Sequence, residues 1–164
     1  MTARQARPAD LAAALRVWRL ANTARGRAPD PDRIARVRAK LTEPGALVLV
    51  AQQDGETIGM ALAEPGRDTD GSGAPLPGVC HISMVFVHPD HWGRHVGQQL
   101  LDALGEQAGG RGYRMLQLWT GQANDRARRL YQRAGFQPTG RTKKHGGQTI
   151  IQYWKSTVDG PGGR

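Results

Sequence analysis

Between His81 and Leu101 the chain reads HISMVFVHPDHWGRHVGQQLL. A β-branched run is stopped by Pro89, a turn holding Gly93 and Gly97 follows, and Leu100 and Leu101 open a helical pattern. A strand–turn–helix of this kind aims free backbone N–H groups and the positive end of a helix dipole at one point, which is where an anion is held. Arg94 adds a fixed cation. The stretch has neither GxGxxG nor GK[ST], so a dinucleotide-binding fold and a P-loop are excluded. Other groups with acid–base or binding capacity are His81, Glu64, Asp68, Asp70, Asn124 and Tyr131, the last two seven residues apart. Each also has a plainer reading. His81 is then a hydrogen-bonded strand histidine, Asn124 a helix N-cap, Tyr131 a core aromatic, and the carboxylates a solvated loop. His88 and His91 read as surface residues beside the turn. Cys80 is the single cysteine; it cannot form an internal disulfide, and its apolar setting predicts a buried thiol.

The elements that must position these groups follow from periodicity. Asp10 is a candidate cap for a helix with Leu11, Ala14, Leu15 and Trp18 at i, i+3, i+4 and i+7. Residues 21–29 read as a loop. Asp30-Pro31 opens a second helix with Ile34, Val37 and Leu41 on one face, stopped by Pro44-Gly45. Residues 46–51 form an apolar strand, and Asp54-Gly55 turns it into another over residues 57–63. Residues 65–78, rich in Gly and Pro, predict a long loop. A strand over 79–87 leads through Trp92–Gly97 into a helix that Gly109-Gly110 closes. After a strand over 113–120, Asn124 caps a short helix with Ala127, Leu130, Tyr131 and Ala134 inward, ended by Gly135. Residues 136–143 and 149–154 pair around His145–Gly147. The order is β-α-α-β-β-β-α-β-α-β-β in one α/β domain over residues 1–158, with a flexible tail at 159–164.

In this order of elements the central stretch resembles the acetyl-CoA motif of the GNAT (GCN5-related) N-acetyltransferase superfamily. The family pattern is a strand, Val-x-Pro, then [Gln/Arg]-x-x-Gly-x-[Gly/Ala] opening a helix. Val87, Pro89 and Trp92-Gly93-Arg94-His95-Val96-Gly97 match it, followed by Asn124, Tyr131 and Gly135-Phe136. The resemblance implies a GNAT fold, a mixed central sheet of about seven strands flanked by about four helices. Trp92 stands where Gln or Arg is usual and is expected to pack beside the turn. His95 stands where the first Gly is usual. A left-handed backbone there would cost about 1 kcal/mol, so a helical backbone with the imidazole near the cofactor pyrophosphate is expected.

The same resemblance implies acetyl-CoA as co-substrate, with no metal. Backbone groups of Val85, Phe86 and Val87 would bond the pantetheine arm. The amides of Gly93, Arg94, His95, Val96, Gly97 and Gln98 would take the pyrophosphate, Asn124 would bind pantetheine, and Tyr131 would sit near the thioester sulfur. A phenol with an ordinary pKa near 10 matches a departing thiolate, which makes Tyr131 the general acid. Many members of the family use a Glu base on the strand after the main helix or on the preceding strand, and the first of those places is filled here by Trp119. His81 falls where some relatives carry a histidine that works through water, and by strand alternation it shares a face with Ser83, Val85 and Val87. Glu64 is the second candidate base. Facing the acceptor, Glu64, Asp68 and Asp70 would attract a cationic amine.

The reading is direct acetyl transfer to the primary amine of a small molecule. Two alternatives stay open: an aminoacyl-tRNA or protein amine as acceptor, and a catalytically silent CoA-binding module. The net charge of +9 is distributed in blocks. Residues 1–43 carry ten Lys/Arg against four acids, 44–110 two against eight, and 111–164 eleven against two. Basic flanks favour tRNA and salt-sensitive binding, but nineteen of the 23 basic residues are Arg, which coding bias also produces. Aromatics at 5% are too few for an obvious base-stacking platform. No apolar run reaches the roughly 18 residues of a membrane span, and no hydrophobic block follows the polar, basic N-terminus, so a cytoplasmic protein is expected. A homodimer is compatible with all of this.

Overall fold

A computed structural model describes residues 1–68 and 72–157; Asp70 and the tail from Asp159 lie outside the described residues. In chain order the elements are β1 (Thr2–Gln5), a single 3-10 turn (Pro8–Asp10), α1 (Leu11–Ala24), α2 (Pro31–Leu41), β2 (Leu47–Gln53), β3 (Glu56–Arg67), β4 (Pro75–Val87), a second 3-10 turn (Pro89–His91), α3 (Val96–Gly110), β5 (Met115–Gly121), α4 (Asp125–Arg133), β6 (Gln137–His145) and β7 (Gln148–Ser156). The seven strands form one mixed sheet in the order β1-β2-β3-β4-β5-β7-β6, parallel between β4 and β5. The succession is the one the sequence predicts. Among the described residues no helix is long and apolar enough to cross a membrane. The chain packs as two compact units, Met1–Glu64 with Ser83–Leu104, and Pro65–Ile82 with Gly105–Arg164.

In the first unit, α1 and α2 lay their apolar faces on β2 and β3. Leu15, Val17, Trp18, Val37, Leu41, Val48, Val50, Met60 and Leu62 form the core cluster; each large side chain so buried contributes about 1.5–3 kcal/mol. Asp30 caps α2 as predicted, its Oδ1 accepting from Arg33 N at 2.8 Å. Asp54 and Gly55 both take positive φ, 52° and 79°, which makes the tight hairpin turn that joins β2 and β3. At Gly59 a Cβ would lie 2.9 Å from Leu100 Cδ1, so glycine lets α3 settle on the strand.

Two expectations fail in this unit. Asp10 does not cap α1 with its side chain. Its carboxylate instead accepts from Arg7 N at 2.7 Å and from Arg4 Nη1 at 2.8 Å, tying β1 to the first 3-10 turn. These bonds to the Arg4 guanidinium and the Arg7 amide hold its pKa down at about 2. The predicted loop at 21–29 also begins late, because α1 runs on to Ala24. Asn22 is buried there, its Nδ2 donating to Trp18 O at 2.8 Å, and that bond removes the cost of burying the amide.

In the second unit, Leu116, Leu118 and Thr120 on one face of β5 are buried, whereas Met115, Gln117, Trp119 and Gly121 are half-buried on the other. Ile151 and Tyr153 of β7 lie opposite Thr120 and Leu118 and extend the buried face. Cys80 is 1% exposed, the buried thiol expected. Half of the predicted loop at 65–78 is strand: β3 continues to Arg67 and β4 begins at Pro75. Prolines are tolerated in a strand where no neighbour needs their missing N–H. Gly66 allows the two backbones to close up, since a Cβ there would meet Val79 Cγ1 at 2.8 Å. Gly109 and Gly110 remain inside α3; Gly112 ends it, with Tyr113 N donating to Ala108 O at 3.0 Å.

Candidate active site

The candidate anion-binding turn of the first unit is built by backbone conformation. After β4, the turn Pro89–His91 passes through Trp92 to Gly93 at φ 80°, then Arg94, then His95 at φ 62°. The expected right-handed backbone at His95 is therefore wrong; the position is left-handed and carries a β-carbon. The His95 carbonyl still accepts from Gln99 N at 3.2 Å, so His95 stands at the doorway of α3. Gly93, Arg94 and His95 are exposed, Val96 and Gly97 buried, and Gln98 half-buried. The first amides of a 15-residue helix thus face the turn together with its dipole, the arrangement that holds a phosphate.

Trp92 packs beside the turn as predicted and does more. Its Nε1 donates to Val87 O at 2.8 Å, and Arg25 at the end of α1 stacks on it, with Cζ 5.6 Å from the Trp92 ring and 5.7 Å from Phe86. His88 and His91, read from the sequence as surface residues, are half-buried. The His88 side chain is 15% exposed and its Nδ1 accepts from Asp90 N at 3.1 Å. His91 stands edge-on to it at 5.8 Å, with a buried Nδ1.

The alternation predicted for His81, Ser83, Val85 and Val87 breaks after Ser83. Ser83 Oγ donates to Glu64 Oε2 at 2.5 Å, and Glu64 also meets Lys40 of α2 at 3.5 Å. The next residue, Met84, packs with Phe86 on the same α1–α2 core cluster. Two successive side chains on one face require a local irregularity of the strand, a feature that frees backbone groups and recurs beside active sites. Val85 and Val87 accordingly point away from the face that holds Ser83. Glu64, 29% exposed, is thus held by a hydroxyl and a lysine; Asp68 is exposed.

The second unit carries the remaining candidates. The β4–β5 ladder comprises Val79–Met115, Cys80–Leu116 and His81–Gln117, which places half-buried His81 beside Gln117. Asn124 is exposed and caps α4, its Oδ1 accepting from Ala127 N at 3.2 Å. Tyr131 is oriented by the end of that helix. Gly135 at φ 91° lets Phe136 N donate to Tyr131 O at 2.9 Å and Gly135 N donate to Gln132 O at 3.1 Å, the Schellman pattern, in which the residue after the left-handed glycine packs on the last turn. That residue is Phe136, its ring 6.0 Å from Tyr131, with Tyr153 at 6.1 Å on another side. One turn earlier, Arg128 Nε donates to the Tyr153 hydroxyl at 3.2 Å, a bond that raises the guanidinium pKa above its ordinary value. Arg25 and Arg128 are absent from the sequence reading, and Ser83 stands there only as a residue sharing the face of His81. Only Arg128 left a signal there, by standing one helical turn before Tyr131. Among the described residues no group of three His, Cys, Asp or Glu is placed to hold a metal.

A model of the acetyltransferase (GNAT) family matches residues 13–136, well over half of the chain. The mycothiol acetyltransferase of Cellulomonas flavigena is 37% identical over 132 residues, which cover 74% of this chain and 37% of that protein. Across its curated relatives the chain spans 26% to 65% of their own length. The yncA protein of Salmonella typhimurium, solved with its cofactor acetyl-CoA, superposes with a TM-score of 0.73 at 26% identity, covering 98% of this chain and 96% of that one. The ribosomal-protein-alanine N-acetyltransferase of Brucella melitensis shares the fold, with a TM-score of 0.73 at 24% identity and coverage of 95% and 99%. On the match across residues 13–136 the chain belongs to the acetyltransferase (GNAT) family.

Proposed function

We propose that the protein transfers an acetyl group from acetyl-CoA directly to the primary amine of a small molecule. The observation that carries this reading is the turn Gly93–His95, whose two left-handed residues open the amides at the start of α3 toward one point. A left-handed non-glycine residue is strained, and strain of this kind collects at ligand sites. The turn fits a pyrophosphate, with the Gly93 to Gln98 amides as donors and Arg94 as cation. Backbone groups of Val85, Phe86 and Val87, beyond the β4–β5 ladder, suit the pantetheine amides. The Val87 carbonyl already accepts from Trp92, so it offers its second lone pair. Asn124 keeps its cap and has its amide N–H left for the same arm.

Acetyl-CoA supplies an activated acyl carbon and a thiolate leaving group. The residues of this chain handle the protons. His81 accepts a proton from the acceptor ammonium, through water, so that the nitrogen lone pair can attack. As the N–C bond forms and the C–S bond breaks, the Tyr131 hydroxyl donates to the sulfur. The second nitrogen proton then leaves for the buffer as Tyr131 recovers its own. Glu64, engaged by Ser83 and Lys40, is the second candidate base; its ties favour an anchoring role for the acceptor side.

The test is thiol release from acetyl-CoA across a panel of primary amines, with Tyr131→Phe and His81→Ala measured alongside. Turnover that collapses in Tyr131→Phe while acetyl-CoA binding persists supports the assignment. Binding with no turnover on any amine, aminoacyl-tRNA included, identifies a silent CoA-binding module and overturns it.

A further inference from the structure

The face of the second unit that carries His81 extends past it to side chains with no role in the chemistry above. On it β5 presents Gln117 and Trp119, whose partners on β7 are Trp154 and Gln152. Across Ile150, β6 adds Lys143. Lys143 Nζ lies 4.4 Å from the Trp119 ring centroid and Arg141 Cζ 5.6 Å from it, so two cations converge on one aromatic face. The backbone arranges this. The β6–β7 register slips between Pro138 and Thr142, Gly140 takes φ 89°, and Arg141 N donates to Thr139 Oγ1 at 3.1 Å. The bulge re-aims Arg141. A chain of polar side chains braces the same face, with Thr139 Oγ1 donating to Gln152 Oε1 at 3.0 Å and Gln152 Nε2 to Gln117 Oε1 at 3.4 Å.

We propose that Lys143 and Arg141, seated on Trp119, bind a carboxylate or phosphoryl group of the acceptor, so that the substrate is an amine that also carries an anion. This rests on the acetyltransferase reading above and names the substrate class of that site. The sheet supplies a ruler. His81 is the register partner of Gln117, and Trp119 lies two residues further along β5. With a strand spacing of about 4.8 Å and a rise of about 3.4 Å per residue, His81 and Trp119 are about 8 Å apart on the sheet. An amine delivered to His81 with its anion at Trp119 therefore has its charges separated by about that distance, the length of an extended 6-aminohexanoate rather than of glycine.

Two measurements on the full chain test this. In the first, the Trp119 indole N–H resonance, assigned with Trp119→Phe, is followed during titration with 6-aminohexanoate and separately with inorganic phosphate. A saturable shift at millimolar concentration that disappears in the Lys143→Gln/Arg141→Gln double variant is expected. No shift from either probe overturns the proposal, as does a response to tRNA with none to the small anions. In the second, kcat/KM is compared for 6-aminohexanoate and n-hexylamine. The wild-type preference for the acid is expected to fall roughly ten- to hundredfold in the double variant, the worth of a charge-assisted contact. An unchanged ratio contradicts the proposal. Acetyl-CoA affinity of the double variant separates the remaining cases. Unchanged affinity is expected, weakened affinity assigns the cations to the cofactor and overturns the anion site, and absent binding in the wild type refutes the transferase reading itself.

Discussion

Two helix ends in this protein use the same unusual backbone with opposite chemistry. The C-terminus of α4 turns on Gly135 at φ 91°, and the N-terminus of α3 is entered through His95 at φ 62°. At Gly135 the left-handed conformation costs no steric strain, and its product is a fixed Tyr131, clamped through the Tyr131 carbonyl and the Phe136 ring. At His95 a β-carbon is carried in the same region at about 1 kcal/mol, at a place where nothing in the local fold demands an imidazole. The first end is spent on orienting a side chain and the second on exposing amides. On the function proposed above, relaxed geometry would orient the proton donor and strained geometry would open the anion site.

The largest expected effect tests the purpose of the first end. Tyr131→Phe keeps the ring packing with Phe136 and Tyr153 and removes only the donor, so kcat falls about a hundredfold or more with little change in melting temperature. A raised KM with kcat unchanged would instead make Tyr131 a binding residue. Gly135→Ala breaks the same end from the backbone side. A Cβ there meets Lys155 Cε at 3.2 Å, and the Schellman turn is strained, so denaturant unfolding should show a loss of about 1–2 kcal/mol. The second end is sharpened by comparing His95→Gly with His95→Ala. Glycine relieves the left-handed strain and alanine keeps it, so the glycine variant is expected to be the more stable by up to about 1 kcal/mol. Equal stability would show that the turn carries no strain.

The smallest effect concerns the start of α1, where charge does what backbone does at the other two ends. Asp10 has its pKa depressed from the ordinary 3.8 to about 2. The folded state therefore binds fewer protons than the unfolded one between those values, and the Asp10 contribution is full above pH 4 and lost as pH falls toward 2. Asp10→Asn should flatten the acid limb of the stability curve in that window, and an unchanged limb would count against the Arg4 pair as its source.

What was legible in the sequence were features with a local cause. Asp30-Pro31, Asp54-Gly55 and Asn124 each name their geometry through their own side chains and backbone limits. The strand–turn–helix around Gly93 was legible for the same reason. Features decided by distant partners were not. Pro65 and Gly66 read as loop because their role as strand depends on Val79 closing over Gly66. The broken alternation at Ser83 and Met84 is set by two demands from elsewhere, Glu64 on one residue and the α1–α2 core on the next. His95 shows the limit most clearly, because propensity argues for a right-handed backbone and the turn overrides it.

The central claim is that a left-handed His95 holds the turn open for a pyrophosphate. Isothermal titration of the protein with acetyl-CoA, and separately with CoA, tests it most directly. Micromolar binding of both, weakened when Gly93→Val fills the turn, is the predicted result. No heat of binding up to millimolar concentrations would mean that the β-carbon at His95 closes the turn, and the account of this site would fall.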